Sequence, residues 1–523
     1  MSKLIACLST PFKKAFPLFL LFFFLSSSAE LWVAATLLDI KLILLLCAHG
    51  FLFSYLLTLI LSHIKNTYIF LLLSIIIILP LAALLFTDIV CYHEYHSFFS
   101  GNFLSALFGT DPSESKEFIE LHYKGFILAF ICISLIFFIY WLTSKIITET
   151  SYQTASLLLL LIIPSLLVLN IKVEARKVIL MERSPEGKLT KVIKELKAIP
   201  PDAEHFHVPV TISNLHDHPA NIVLIVGESH CKSHCQFYGY NKITMPHIQE
   251  WIDQGDIILF YDAIAPTVTT SESFRALMTT YKQEMGDEIK YYRCPNIPEI
   301  MRATGYKTIW ISNQSRRGLF DNVSGNFSAL CDTMYYVGGV HKDSRAKNYD
   351  SEILPLLQTA MSTTNSALCF YTIHLWGSHP RFTDRYPKEY DTFSPAQYQD
   401  KPEHQRNNYA TYDNSLVFTD TIIDSIIKEF VNKEAIIIYI ADHALDFYDS
   451  RDDFCGHAVI SNPLSVEPAR KIPMFIYVTK LFQSNYPDIC SDLGKISTLP
   501  YYTEDFIYTL TSIAGVSFTP KSE

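Results

Sequence analysis

At residues 221–229 the chain reads Asn-Ile-Val-Leu-Ile-Val-Gly-Glu-Ser, an apolar and largely β-branched run that ends in Gly227, Glu228 and Ser229. Such a run predicts a buried β-strand with a carboxylate directly after its carboxyl end. Four more short apolar runs follow at residues 308–311, 367–373, 435–440 and 473–478, separated by segments of helical length. This spacing predicts an α/β domain with a largely parallel sheet, in which chemistry gathers at the carboxyl ends of the strands.

Side chains that bind metals follow several of these predicted strands. Asp442 and His443 come closely after the run at 435–440, and the run at 367–373 leads into His374 and His379. A further histidine, His457, follows Cys455-Gly456. Each of these residues alone has a structural explanation, such as a turn or a helix cap. Together with Glu228 they predict a zinc site, because Zn²⁺ prefers a few nitrogen and oxygen ligands and an open position.

A loop rich in hydroxyl groups precedes a predicted helix at Arg275-Ala276-Leu277-Met278. It reads Thr267-Val268-Thr269-Thr270-Ser271-Glu272-Ser273. A nucleophile at a helix N-terminus would lie where backbone N–H groups stabilise an oxyanion. Plain helix capping is the alternative explanation for any one of these hydroxyl groups.

The first third of the chain is apolar enough to cross a membrane several times. Stretches of about 20 apolar residues run through 16–35, 42–64, 68–87, 125–143 and 155–171. The lysines that flank them place the C-terminal part outside the cytoplasm. We therefore predict a transmembrane domain at 1–172, an amphipathic surface linker at 173–215 and an extracytoplasmic catalytic domain at 216–523. The net charge of −10 argues against nucleic-acid binding.

Seven of the eleven cysteines lie in the predicted exported domain. An oxidising compartment permits disulfides there, but an odd number leaves at least one thiol without a partner in the chain. The spacing predicts no particular pairing.

The combined pattern resembles the membrane phosphoethanolamine transferases that act on lipopolysaccharide, in the sulfatase-like branch of the alkaline phosphatase superfamily. The resemblance rests on the five spans, on Gly227-Glu228-Ser229, and on the runs Tyr238-Gly239-Tyr240 and Thr244-Met245-Pro246. It implies a five-helix transmembrane domain followed by an α/β/α sandwich in the periplasm, with the chain held in the bacterial inner membrane. It also implies phosphatidylethanolamine as donor and lipopolysaccharide as acceptor.

The same resemblance implies roles for individual residues. Thr270, followed by Ser273 at the family's spacing, would be the nucleophile, with Thr269 as the fallback; lipoteichoic acid synthases carry a similar run. The implied zinc ligands are Glu228, Thr270, Asp442 and His443. His379 and His457 would bind the phosphoryl group or a second zinc ion.

Thr110 and Glu114 resemble the family segment that contacts the ethanolamine group, although Ala106 stands where the family has Asn. The family's Asp-His-Gly-Glu run reads Asp442-His443-Ala444-Leu445 here, so Ala and Leu replace the family's Gly and Glu. The cysteine pair that flanks the nucleophile in lipid A-modifying members is missing. The run at 310–314, Trp-Ile-Ser-Asn-Gln, is closer to members that modify the lipopolysaccharide core. Core sugar and lipid A both stay open as acceptors.

Two other functions fit the same residues. A related phosphotransferase, such as one that moves glycerol phosphate, would share every metal ligand and would differ at Glu114, because glycerol phosphate carries no cation. A non-catalytic envelope scaffold is the alternative from a different class, and the clustering of ligands at strand ends argues against it.

Overall fold

The chain forms two units in a computed structural model that describes residues 2–13, 15–36, 40–97, 112–147, 152–170, 184, 187–190, 193, 208–285, 289–316, 323–338, 348–458 and 462–520. The first unit comprises Met1–Ser105 and Phe118–Ile199. The second comprises Ala106–Glu117 and Pro200–Glu523.

Helices, most of them apolar, dominate the first third of the chain. The helices of its described part are α1 (Ser2–Leu8), α2 (Phe16–Thr36), α3 (Ile40–Ser62), α4 (Thr67–Tyr95), the polar α5 (Pro112–Leu121), α6 (Tyr123–Ile146), α7 (Tyr152–Leu160) and α8 (Ile162–Asn170). Three of them, α3, α4 and α6, are long and apolar enough to cross a membrane. The first and fifth predicted spans appear as shorter apolar stretches, Phe16–Trp32 and Thr154–Leu166. The N-terminal region is therefore a helical membrane region.

The second unit is built on an eight-stranded sheet with the order β11-β3-β10-β7-β2-β6-β4-β5. Its strands are β2 (Asn221–Gly227), β3 (Ile257–Ile264), β4 (Lys307–Ser312), β5 (Thr333–Tyr336), β6 (Cys369–His374), β7 (Ala435–Ala441), β10 (Lys471–Val478) and β11 (Pro500–Tyr502). Strand β10 runs antiparallel to both of its neighbours, and the other neighbouring pairs are parallel. The five predicted strands are all present.

Two small sheets complete the strands of this unit. Strand β1 (Val210–Asn214) pairs with β12 (Val516–Pro520), and β8 (Asp446–Phe447) pairs with β9 (Cys455–Gly456). Strand β1 lies within the predicted linker, and most of the rest of that linker lies outside the described residues. The pairing of β1 with the C-terminal strand joins the two ends of this unit.

Both faces of the large sheet are buried at its centre, which explains why strands β2 and β7 are continuously apolar. Along β2, Ile222 and Leu224 pack into one apolar core, while Val223 and Ile225 pack into another on the opposite face. Helices cover both cores, in a mixed α/β arrangement. The described helices are α9 (Pro246–Asp253), α10 (Thr270–Met278), α11 (Ile297–Ala303), α12 (Val323–Ala329), α13 (Ile353–Thr363), α14 (Arg406–Phe430), α15 (Pro463–Arg470), α16 (Lys480–Asn485), α17 (Pro487–Ile496) and α18 (Phe506–Ile513).

All eleven cysteines of the chain are free thiols in this structure. The seven in the second unit are buried or half-buried, and none is bonded to another. The fold of this unit therefore rests on its apolar cores and its hydrogen bonds.

Candidate metal and nucleophile site

Two adjacent strands deliver the predicted metal ligands to one edge of the sheet. Strands β2 and β7 are parallel neighbours in which Gly227 pairs with Ala441, so the residues that follow them emerge side by side. Glu228, Asp442 and His443 are 1%, 2% and 0% exposed, and their ligand atoms all lie within 4.8 Å of one another. The structure thus brings these three predicted residues together in a buried group.

The hydrogen bonds of His443 fix which ring nitrogen faces the carboxylates. Nδ1 lies 2.8 Å from the carbonyl oxygen of Ala444, and a carbonyl only accepts, so Nδ1 carries the proton. Nε2 is then the ring nitrogen that faces the carboxylates, 3.5 Å from Glu228 Oε1 and 3.5 Å from Asp442 Oδ2, and the one available to a metal ion. This division of roles is typical of a metal-binding histidine.

The carboxylate of Glu228 is held by two residues for which the sequence predicted no role. Ser229 Oγ donates to Glu228 Oε1 at 2.6 Å, and Gln314 Nε2 donates to Glu228 Oε2 at 3.3 Å. Ser229 has φ of 56°, a conformation that non-glycine residues rarely adopt. Both residues lie in motifs that the sequence had singled out, but their contacts depend on the tertiary fold.

Thr270 is the first residue of α10, and its hydroxyl group enters the ligand group. Its Oγ1 donates to Glu228 Oε2 at 3.0 Å and lies 3.3 Å from His443 Nε2. Thr269 is the N-cap residue of the helix, although its side chain makes no capping hydrogen bond. The half-buried Thr270 therefore lies at a helix N-terminus, and its hydroxyl group contacts two candidate ligands.

Two of the three predicted histidines border the ligand group. The ring centroid of His457 lies 5.0 Å from that of His443 and 5.4 Å from that of His379. His374 is instead packed against Phe274, with 4.7 Å between the ring centroids. His374 belongs to the core beneath the site, and it is absent from the ligand group found among the described residues.

Burial sets the charge of these groups. It lowers the pKa of His379 to about 4 and that of His457 to about 3, so both rings are neutral near pH 7. Burial and the Glu228 carboxylate together raise the pKa of Asp442 to about 8. Burial opposes ionisation of Glu228 too, but nearby histidines, His443 first, lower its pKa overall. Two buried carboxylates whose oxygens lie within 4.8 Å of each other need a cation nearby to be stable in their charged forms.

The residues that depart from the family pattern lie beside the ligands and leave them in place. The backbone N–H of Ala444 donates to the carbonyl oxygen of Ala469, and Leu445 is 1% exposed within the apolar core. Thr110 lies outside the described residues. Glu114 lies on α5, and its side chain also lies outside the described part.

The family model described as Sulfatase matches residues 220–516, which is more than half of the chain and includes every candidate ligand. The chain belongs to the sulfatase family. Similar sulfatase-family relatives include the phosphoethanolamine transferase EptC of Escherichia coli, 25% identical over 348 residues that cover 64% of this chain and 57% of the relative. Another is CptA of Salmonella typhimurium, at 23% identity over 63% of this chain and 56% of the relative. The chain thus spans less than two thirds of these relatives' length.

Solved structures agree with this fold. The integral membrane lipooligosaccharide phosphoethanolamine transferase A of Neisseria meningitidis is 16% identical and gives a TM-score of 0.66 over 98% of this chain and 96% of its own. The periplasmic domain of EptC from E. coli, crystallised in complex with Zn, gives 0.53 at 23% identity over 60% of this chain and 87% of its own. The predicted resemblance is confirmed, and the predicted periplasmic location of the catalytic domain agrees with these matches.

Proposed function

We propose that this protein transfers phosphoethanolamine from phosphatidylethanolamine to lipopolysaccharide, with Thr270 as nucleophile. The observation that carries the proposal is the position of Thr270 Oγ1, 3.0 Å from Glu228 and 3.3 Å from His443 at a helix N-terminus. Nucleophilic hydroxyl groups need such neighbours, because a free threonine hydroxyl ionises too weakly to attack phosphorus. We propose phosphoethanolamine as the transferred group because relatives of this chain are named phosphoethanolamine transferases.

The side chains at the site fit a zinc ion. Asp442 Oδ2 is buried and accepts no hydrogen bond from any residue that the structure describes, as an oxygen that binds a cation would. Glu228, Asp442, His443 and Thr270 would hold the ion, which matches the mixed oxygen and nitrogen set that zinc prefers. When bound there, zinc would favour the ionised form of Thr270 and offset charge on the phosphoryl oxygens.

In the first half of the reaction, Thr270 Oγ1 attacks the phosphorus of the donor lipid. The bond from phosphorus to the glycerol oxygen breaks, diacylglycerol leaves with a proton, and phosphoethanolamine remains on Thr270. The first backbone N–H groups of α10 have no partners within the helix and face the developing negative charge. Glu228 receives the hydrogen bond of the Thr270 hydroxyl group and so fixes the direction of attack.

In the second half, an acceptor hydroxyl or phosphate attacks the same phosphorus and releases Thr270. His379 is neutral near pH 7 because burial lowers its pKa to about 4, so it can accept the acceptor's proton. That proton then returns to Thr270 Oγ1 as the bond from Oγ1 to phosphorus breaks. His457, adjacent to both His379 and His443, would contact the phosphoryl oxygens. Thr110 and Glu114 would bind the ethanolamine group, since a carboxylate suits an ammonium ion.

The membrane anchor suits this chemistry. Five spans, including the two shorter apolar stretches, would place the catalytic unit in the periplasm beside donor and acceptor lipids confined to the same membrane. A core sugar or a lipid A phosphate would be the acceptor, and Gln314 and its neighbours resemble the core-modifying members.

The test is mass spectrometry of lipopolysaccharide from cells that express the intact protein or its Thr270→Ala variant. We expect added phosphoethanolamine with the first and none with the second, at equal protein levels. The fragment that carries the added mass identifies the acceptor. Added glycerol phosphate in place of phosphoethanolamine, or no added mass with either protein, would refute the proposed reaction.

A further inference from the structure

One arginine next to the site is fully enclosed. The side chain of Arg385 is 2% exposed, and its guanidinium carbon lies 4.0 Å above the ring of Trp376. Its Nε donates to the carbonyl oxygen of His379 at 3.1 Å, and Nη2 donates to the carbonyl oxygen of Pro380 at 2.9 Å. Arg385 therefore holds the backbone on which the His379 ring is mounted.

The loop from Trp376 to Pro380 is fastened at its other end to Asp350 and to the backbone that directly follows strand β2. The backbone N–H groups of Trp376 and Gly377 each donate to the Asp350 carboxylate at 2.9 Å, and that of Ser378 donates to the carbonyl oxygen of Glu228 at 3.1 Å. The loop is thus fixed to Asp350 and to the backbone of Glu228 at one end and to Arg385 at the other. The position of His379 depends on both ends.

The charge of Arg385 is balanced by a residue that is remote in sequence. Glu117 Oε2 lies 2.6 Å from Arg385 Nη2, and Glu117 is itself only 17% exposed. Glu117 belongs to the short segment, Ala106–Glu117, that groups with the second unit. A buried arginine needs such a partner, because an unpaired guanidinium in this setting is strongly unfavourable.

We propose that Glu117 and Arg385 act as a pair of positioning residues that hold His379 in place for the second half of the reaction. Glu117 fixes the guanidinium, the guanidinium fixes the carbonyl groups of His379 and Pro380, and the His379 ring is thereby held beside His457. The role of His379 in this inference rests on the proposed function. The contacts of Glu117 and Arg385 with the loop that carries His379 do not depend on it.

The test compares the intact protein with Glu117→Gln, Glu117→Asp and the control Glu120→Gln, which changes an exposed carboxylate on the same helix. Hydrogen exchange of the peptide covering residues 374–386 reports on the loop without any substrate. In Glu117→Gln we expect faster hydrogen exchange in this peptide. We also expect transfer of phosphoethanolamine from Thr270 to the acceptor to be about tenfold slower, while the rate at which the Thr270 adduct forms stays unchanged. Glu117→Asp should restore most of the slow hydrogen exchange and most of the transfer rate, and Glu120→Gln should match the intact protein in both measurements.

The outcomes separate this inference from the proposed function. Unchanged exchange in Glu117→Gln would overturn the pair, and so would equal slowing of formation and discharge, which indicates a general structural defect. If the unchanged protein forms no Thr270 adduct at all, the proposed function fails, while the exchange measurement still decides whether Glu117 holds the loop.

Discussion

Ser229 illustrates how one residue can support a candidate metal ligand without being a ligand itself. Its hydroxyl group donates to Glu228 Oε1 at 2.6 Å and its backbone N–H donates to Asp442 Oδ1 at 3.2 Å. Ser229→Ala removes only the first bond, so we expect zinc affinity to fall about tenfold with little change in stability. A competition titration with a zinc-binding dye measures this. Ser425→Ala, whose hydroxyl bonds only to its own helix, is the control; equal affinity in both variants would contradict the role of Ser229.

Gly377 is required where the loop that carries His379 passes Glu228. Its φ is 51°, and a Cβ there would lie 2.7 Å from the backbone oxygen of Glu228. Gly377→Ala combines backbone strain with this overlap, so we expect the free energy of unfolding to fall by about 1–3 kcal/mol. Gly494→Ala is a matched control, because no atom lies within 4 Å of the added Cβ in α17. The control should gain about 0.5–1 kcal/mol, and denaturant unfolding that ranks the two variants equally would refute the argument.

At the scale of single elements, helix α10 distinguishes the two candidate nucleophiles. Thr269 makes no capping hydrogen bond with its side chain, whereas Thr270 contacts Glu228 and His443. Thr269→Ala should therefore keep the transferase rate within about threefold, because the Thr269 side chain makes no capping hydrogen bond that the substitution could remove. Thr270→Ala should lose the rate altogether. Mass spectrometry of the intact protein after incubation with donor lipid gives a second test. A covalent adduct on the Thr270→Ala variant would exclude Thr270 as the nucleophile.

The strands also show what the sequence could and could not predict. Strands β2 and β7 were predictable because burial on both faces makes them continuously apolar. Strand β3 was missed, since Tyr261 is 58% exposed and Asp262 follows it, which breaks the apolar run. The ligands were predictable from their place after strands. Ser229, Gln314 and Arg385 were not, because their roles arise from contacts between segments far apart in the chain.

At the scale of the whole molecule, no cysteine cross-links the fold. All eleven are free, and burial raises the pKa of Cys231 and Cys331 to about 12, which keeps these thiols unreactive. We expect a reducing agent to leave the melting temperature unchanged. Thiol titration should count eleven groups after denaturation and fewer in the native protein. A lower count in the denatured, unreduced protein would show that a disulfide had formed.

Without cross-links, a zinc ion at the proposed site would be a substantial source of added stability for the catalytic unit. Binding to the folded form alone contributes about 2.7 kcal/mol when free zinc is at 100 times its dissociation constant. Chelation should therefore lower the melting temperature, and zinc should restore it.

Asp442→Asn tests the cause of that effect. In the metal-free protein, Asp442 and Glu228 are two buried carboxylates with oxygens within 4.8 Å of each other, and burial together with their repulsion raises the pKa of Asp442 to about 8. A carboxyl group whose pKa is raised in the folded state makes the protein less stable as it ionises. For Asp442 this loss of stability builds up as the pH rises from the unfolded pKa of about 4 towards 8. Near pH 7 the amide removes that cost, so we expect the metal-free variant to melt higher than the metal-free parent and to gain nothing from zinc. If instead zinc still raised its melting temperature, the stabilising ion would bind elsewhere in the chain.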